Sequence, residues 1–229
     1  MGMFLLAFSI FLLLHIVPAL PGIRVSLIAH IGRKTYLAVY SLLSIAILAW
    51  VFQTALAMDF VALWEPAAWQ AHITLITAPI GLFLVLAGLF SANPLSVTMR
   101  PGADAPGAIT AVTRHPVLWG FWLWAAGHMV PNGDLRSVML FGSFALFAAA
   151  GIVMVERRSR KRLGDTWGQL SAGTAILPFA AIALRRSRLS PDRAMAAAAL
   201  STGLATLWLL TGGHLALFGA DPLLQALPQ

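Results

Sequence analysis

Six histidines and no cysteine bound the chemistry open to this 229-residue chain. Disulfides, thiolate metal sites and cysteine nucleophiles are excluded, which leaves imidazole as the natural metal ligand. His15 and His128 fall inside apolar stretches, where a titratable side chain is costly and is kept for a cavity, a partner or a ligand. His214 is a weaker third, because Thr211, Gly212 and Gly213 beside it mark either a helix break or a tight helix contact. His30 and His72 fall in expected loops, and His115 stands at the entry of a later apolar stretch. The plain alternative for any one of them is an interhelical hydrogen bond. No two are spaced i, i+3 or i, i+4, so spacing alone does not choose. Two neutral imidazoles facing each other across a helical bundle would make an axial pair for haem iron.

A second constellation is Thr113, Arg114, His115, Pro116 and Gly120. Pro116 suits a first helical turn, where its missing N–H is not needed. Arg114 and His115 present cationic donors that fit a phosphate, a carboxylate or a haem propionate; the alternative is that Arg114 anchors to lipid headgroups. Downstream, Glu156 precedes Arg157 and Arg158, and an acid beside so many arginines is most often simply salt-bridged. Trp119, Trp122 and Trp124 read as packing or an interface belt, with Trp119 and Trp122 on a common helix side.

The elements that must position these residues are transmembrane helices. Hydrophobic residues make up 59% of the chain and charged ones only 10%, against about 25% charged in soluble domains. With about 20 apolar residues per span, the candidates are Gly2 to Leu20, Tyr36 to Met58, Thr74 to Asn93, Pro116 to Pro131, Leu135 to Val155 and Ala194 to Ala220. This predicts an all-α polytopic bundle of about six spans, forming one integral membrane domain over residues 1–229. The N-terminal apolar stretch lacks a basic n-region and an A-x-A site, and reads as a retained first span. Ser171 to Leu184, interrupted by Pro178, is too short to cross and is flanked by basic clusters. It is expected to be re-entrant or interfacial.

Net charge is +7 with a pI near 11.3, yet the basic residues sit in short runs between apolar stretches. That is the placement of cytoplasmic anchors rather than of a nucleic-acid surface. Putting Arg24, Arg33, Lys34, Arg100, Arg114 and both later arginine clusters inside, and Asp59, Glu65 and the Pro131 to Asp134 turn outside, satisfies every loop. Both termini then lie outside, which in a bacterial inner membrane is the periplasm.

The stretches FLLLHIVPALPGIR (Phe11 to Arg24), IGRKTYLAVYSLLS, LWEPAAW, VTRHPVLWGFWLWAAGHMVPNGDLRSVMLFG and ERRSRKRLGDTW resemble the NnrU family of membrane proteins over about Met1 to Ala180, with the span at 194–220 beyond that core. The TRHP to NGD block is the most specific part. Family members are associated with bacterial denitrification and nitric-oxide-related gene clusters, and they include a 15-cis-zeta-carotene isomerase that uses haem b. The resemblance therefore implies haem b held by His15 and His128, and as partners either an apolar polyene or nitrogen-oxide-related membrane proteins. An enzyme of this kind would be a polyene cis–trans isomerase. The isomerase carries a cysteine three residues before the second histidine; Ala125 stands there, so no thiolate ligand arises.

A more distant likeness, to membrane methyltransferases acting on lipid or prenyl substrates, rests on Arg114, His115, Pro116 and Gly120 with Glu156 and Arg157. It implies S-adenosylmethionine at the cytoplasmic face, although Leu118 and Trp167 replace tyrosines. A non-enzymatic assembly factor is the third alternative. By helix rise, His15 lies about 20 Å from the outer face and His128 about 5 Å. A shared iron therefore requires a later start for the fourth span or a break near Pro18; otherwise His15 pairs with His115.

Overall fold

A chain this apolar satisfies its own N–H and C=O groups in lipid by coiling. The computed structural model describes residues 1–100 and 106–227. Among them, helices are joined by turns, and the only extended pairings are isolated bridges from Ala62 to Asp134 and from Ala92 to Arg100. The helices are α1 (Gly2–Ile16), α2 (Pro21–Ile31), α3 (Arg33–Leu56), α4 (Ala68–Phe90), α5 (Pro116–Met129), α6 (Leu135–Leu163), α7 (Thr166–Ser171), α8 (Ala180–Ala183), α9 (Arg193–Trp208), α10 (His214–Phe218) and α11 (Pro222–Gln225).

Four helices are long and apolar enough to cross a bilayer: α3, α4, α6 and the run Arg193–Phe218. The other two expected spans, α1 and α5, are also helices, but of 15 and 14 residues. At 1.5 Å per residue they reach roughly 21 to 23 Å, short of a hydrocarbon core of about 30 Å.

Several boundaries differ from the sequence expectation. The first apolar stretch breaks early, because a tight turn at Val17–Ala19 containing Pro18 follows α1. Pro21 then opens α2 rather than ending a span. The loops expected to hold His30 and His72 are helical, in α2 and α4 respectively. In α4 the early start is explained by Gln70, whose Oε1 accepts from the Ala67 amide at 2.8 Å and satisfies an otherwise orphaned donor. Pro79 sits inside α4 without ending it. The helix α6 continues to Leu163 through its charged end, because lipid-free turns of helix need no apolar residues. The expected break near His214 is present, with Thr211 and Gly212 off helical geometry and Gly212 at φ 120°.

The chain divides into two compact units, Met1–Leu63 with Asp134–Leu140, and Trp64–Gly133 with Phe141–Gln229. In the first, α1 and α2 pack on α3. Arg136 pairs with Asp134 at 3.2 Å and lies over the Phe60 ring.

In the second unit α4 packs on α5 and α9. The α4–α5 contact is set by glycines seven residues apart on each helix, Gly81 and Gly88 on α4 and Gly120 and Gly127 on α5: Gly81 faces Gly120, Gly88 faces Pro116 and Val117, and Gly127 faces Thr77. A Cβ on Gly81 would lie 2.7 Å from the Gly120 carbonyl, and one on Gly88 only 2.8 Å from Pro116. At Gly81 and Gly120 backbone therefore meets backbone, as at other membrane helix contacts built on small residues. The Thr74 hydroxyl adds a 2.6 Å bond to the Gly127 carbonyl. Leu84, Ala87, Ile109, Val112, Met195 and Ala198 form the apolar core around this pair.

The stretch from 171 to 184 is not a span. After α7 it runs irregularly to the single turn of α8 and lies against the start of α5, which positions the candidate site.

Candidate functional site

His15 and His128 share one local device. Each donates Nδ1–H to the carbonyl four residues before it, Phe11 for His15 and Trp124 for His128, both at 2.8 Å. That bond fixes the tautomer and puts the lone pair on Nε2, the state in which imidazole binds a metal. His30 and His72 make the same bond at 2.7 and 2.9 Å but are exposed. The first pair differs in its surroundings. The His15 ring lies 4.2 Å from Phe11 and 6.1 Å from Tyr40, within the first unit. The His128 ring lies 5.1 Å from Trp124 and stacks on Phe141 at 5.2 Å, within the second. Ala125 beside it is fully buried. Among the described residues no three His, Cys, Asp or Glu side chains gather as a polydentate metal site; haem iron asks the protein only for axial ligands.

His214 follows the break and donates Nδ1–H forward to the Ala220 carbonyl at 2.8 Å. Of the two alternatives for Thr211, Gly212 and Gly213, the structure shows the break; the atoms nearest a Cβ on Gly213 belong to Trp208 of the same run, at 2.8 Å.

At the other end of α5, about 20 Å from His128 along thirteen residues of rise, Arg114 and His115 converge on one carboxylate. Glu156 takes a charge-assisted hydrogen bond from the Arg114 Nη1 on one oxygen, and from the His115 Nε2–H at 2.9 Å on the other. The sequence pattern pointed Glu156 toward its neighbours Arg157 and Arg158. It pairs instead with a residue 42 positions earlier.

The remaining Arg114 donors are also used within the chain. Nε–H donates to the Thr174 hydroxyl at 2.8 Å, and Nη2 reaches the carbonyls of Ser171 and Thr174 at 3.4 and 3.3 Å. Its guanidinium lies 5.1 Å over the Trp167 ring. An external anion at Arg114 would compete with this carboxylate and these carbonyls.

His115 is fully buried, and its Nδ1 accepts from the Ser96 hydroxyl at 2.8 Å. Burial holds its pKa below the ordinary histidine value, while the hydrogen bond to Glu156 opposes that effect. The ring is therefore neutral at pH 7, with its proton on Nε2. Asn93 completes the corner by donating to the Arg114 carbonyl at 3.0 Å and accepting from the Leu95 amide at 3.0 Å.

Four residues of this cluster are not prominent in the sequence. Ser96 and Asn93 lie in what reads as a plain Asn-Pro turn, and Ser171 and Thr174 in a stretch read as interfacial. That stretch is bound to the α5 entry by bonds from the Arg114 amide to the Ala175 carbonyl at 2.7 Å and from the Thr113 hydroxyl to the Ile176 carbonyl at 2.8 Å. Two more run from the Trp119 indole to the Ile176 carbonyl at 2.8 Å and from the Phe179 amide to the Val112 carbonyl at 2.7 Å. The arrangement is a clasp. A helix entry, a helix exit and an irregular segment are held together by one buried ion pair and its neutral imidazole.

No curated protein and no solved structure matches the chain. A family model described as NnrU protein matches residues 3–222, nearly the whole length and including both histidines and the clasp. This membrane chain belongs to the NnrU family.

Proposed function

We propose that this protein is a haem-b-binding protein of the bacterial inner membrane, with His15 and His128 as the axial ligands. The observation that carries the reading is the tautomer of the two rings. Both commit Nδ1–H to a backbone carbonyl and carry the lone pair on Nε2 beside aromatic side chains, which is what a neutral imidazole ligand requires. Family membership supports it, as does the absence of cysteine from the sequence.

Haem iron, when bound, supplies a redox-active and Lewis-acidic centre. The chain's own contribution is to orient each imidazole through its backbone carbonyl bond and to hold α5 rigid through the clasp at its entry. Such a protein serves nitrogen-oxide metabolism or the cis–trans isomerisation of a polyene, and in the second case the apolar interior receives the substrate. A second reading, S-adenosylmethionine at Arg114, His115 and Glu156, draws support from the convergence of those residues. The use of the Arg114 donors within the chain favours a structural clasp there.

The test is an absorption spectrum of detergent-purified protein from haem-sufficient cells, oxidised and reduced. A Soret band is expected, shifted or lost in His15→Ala and in His128→Ala. Purified wild-type protein without a Soret band removes the reading.

A further inference from the structure

The segment between α7 and α9 does more than close the clasp. Its backbone is tied inward by the four bonds from Val112 to Trp119 described above, and its apolar side chains are left outside. Leu177 is 63% exposed, Phe179 59% and Leu184 62%. Phe179 also holds a left-handed backbone, at φ 62°, as does Arg185 at φ 54°. A bulky residue in that region is strained. Here the strain presents an aromatic ring outward rather than packing it into the core.

The charge around this apolar ridge is one-sided. From Arg157 to Arg193 the chain carries nine arginines and lysines, all exposed, and only two acids, Asp165 and Asp192. Asp192 is already used, accepting from the amides of Met195 and Ala108. None of Arg185, Arg186 and Arg188, which follow the ridge directly, forms an ion pair among the described residues. Cations without carboxylate partners, next to outward apolar side chains on a satisfied backbone, are complementary to a molecule that is anionic at one end and apolar at the other.

We propose that this surface is a docking site for anionic phospholipid. Headgroup phosphate lies on Arg185, Arg186 and Arg188, and Leu177 and Phe179 seat among the acyl chains. Because Ser171 and Thr174 of the same segment hold the Arg114 guanidinium, a lipid bound here steadies the clasp. The site is independent of whether haem is bound.

The full chain in non-ionic detergent is unfolded thermally with added phosphatidylglycerol, phosphatidylcholine or soluble glycerol phosphate. Phosphatidylglycerol is expected to raise the midpoint, and the other two to leave it unchanged. The triple variant Arg185→Gln, Arg186→Gln, Arg188→Gln is expected to need about tenfold more phosphatidylglycerol, or beyond, for the same shift. Phe179→Gly suits the left-handed backbone, so its lipid-free midpoint should hold or rise while its response to phosphatidylglycerol falls. Equal shifts with phosphatidylcholine overturn the proposal. So does an equal shift with glycerol phosphate, which would make this a free-phosphate site, or a wild-type response from the triple variant.

Discussion

Arg114 carries five N–H donors in one plane, and the chain supplies acceptors to Nε and to both terminal nitrogens. With 11% of its side chain exposed and 20% of Glu156, the pair is largely withdrawn from water. Removing one partner of such a pair strands the other charge, at a typical cost of about 3–5 kcal/mol. Glu156→Ala is therefore expected to lower unfolding stability in detergent by about that amount, and Glu156→Gln by less, because the amide oxygen still accepts from one partner. An alanine variant as stable as wild type would show that the carboxylate holds nothing together. The sequence marked Arg114, His115 and Glu156 as exceptional and Glu156 as salt-bridged, but its neighbours Arg157 and Arg158 are not the partners. Adjacent residues on a helix point about 100° apart and do not face each other, so Arg157 was never well placed to meet Glu156.

Helix α5 shows how an element of only 14 residues can hold its place. Its glycines let it sit against α4 at backbone distance, with Thr74 bonded to the Gly127 carbonyl. A Cβ on Gly120 would fall 2.8 Å from the Val85 amide, whereas one on Gly203 in α9 meets nothing within 4 Å. Gly120→Ala is expected to cost about 1–3 kcal/mol by forcing the helices apart. Gly203→Ala should be neutral or gain a few tenths to about 1 kcal/mol, since it removes a flexible residue from a helix interior. Thermal unfolding of both variants checks this, and equal effects would refute the close-contact argument. The segment from 171 to 184 was recognisable by length as something other than a span. Its role as the floor beneath Arg114 was not, because backbone carbonyls accept hydrogen bonds whatever side chain they carry.

At the scale of the whole molecule, the apolar helices place the chain in a lipid bilayer. By the positive-inside rule, the one-sided charge between Arg157 and Arg193 predicts a cytoplasmic face for that stretch and, after one crossing from Arg193 to Phe218, a periplasmic C-terminus. Alkaline phosphatase fused after Gln229 is expected to be active, and fused after Arg188 to be inactive; the reverse pattern would invert this orientation. The sequence by itself determined the helical class, the membrane environment, the NnrU resemblance and the short list of polar residues that had to be explained. These follow from composition, from the length needed to cross lipid and from local motifs, all properties of neighbouring residues. Only the tertiary structure decided that Arg114 and His115 meet Glu156, that Ser96 and Thr174 complete the cluster, and that His15 and His128 carry their lone pairs on Nε2. Those facts depend on contacts between residues some 20 to 60 positions apart and on which way a ring turns within its helix, and no pattern along the chain records either.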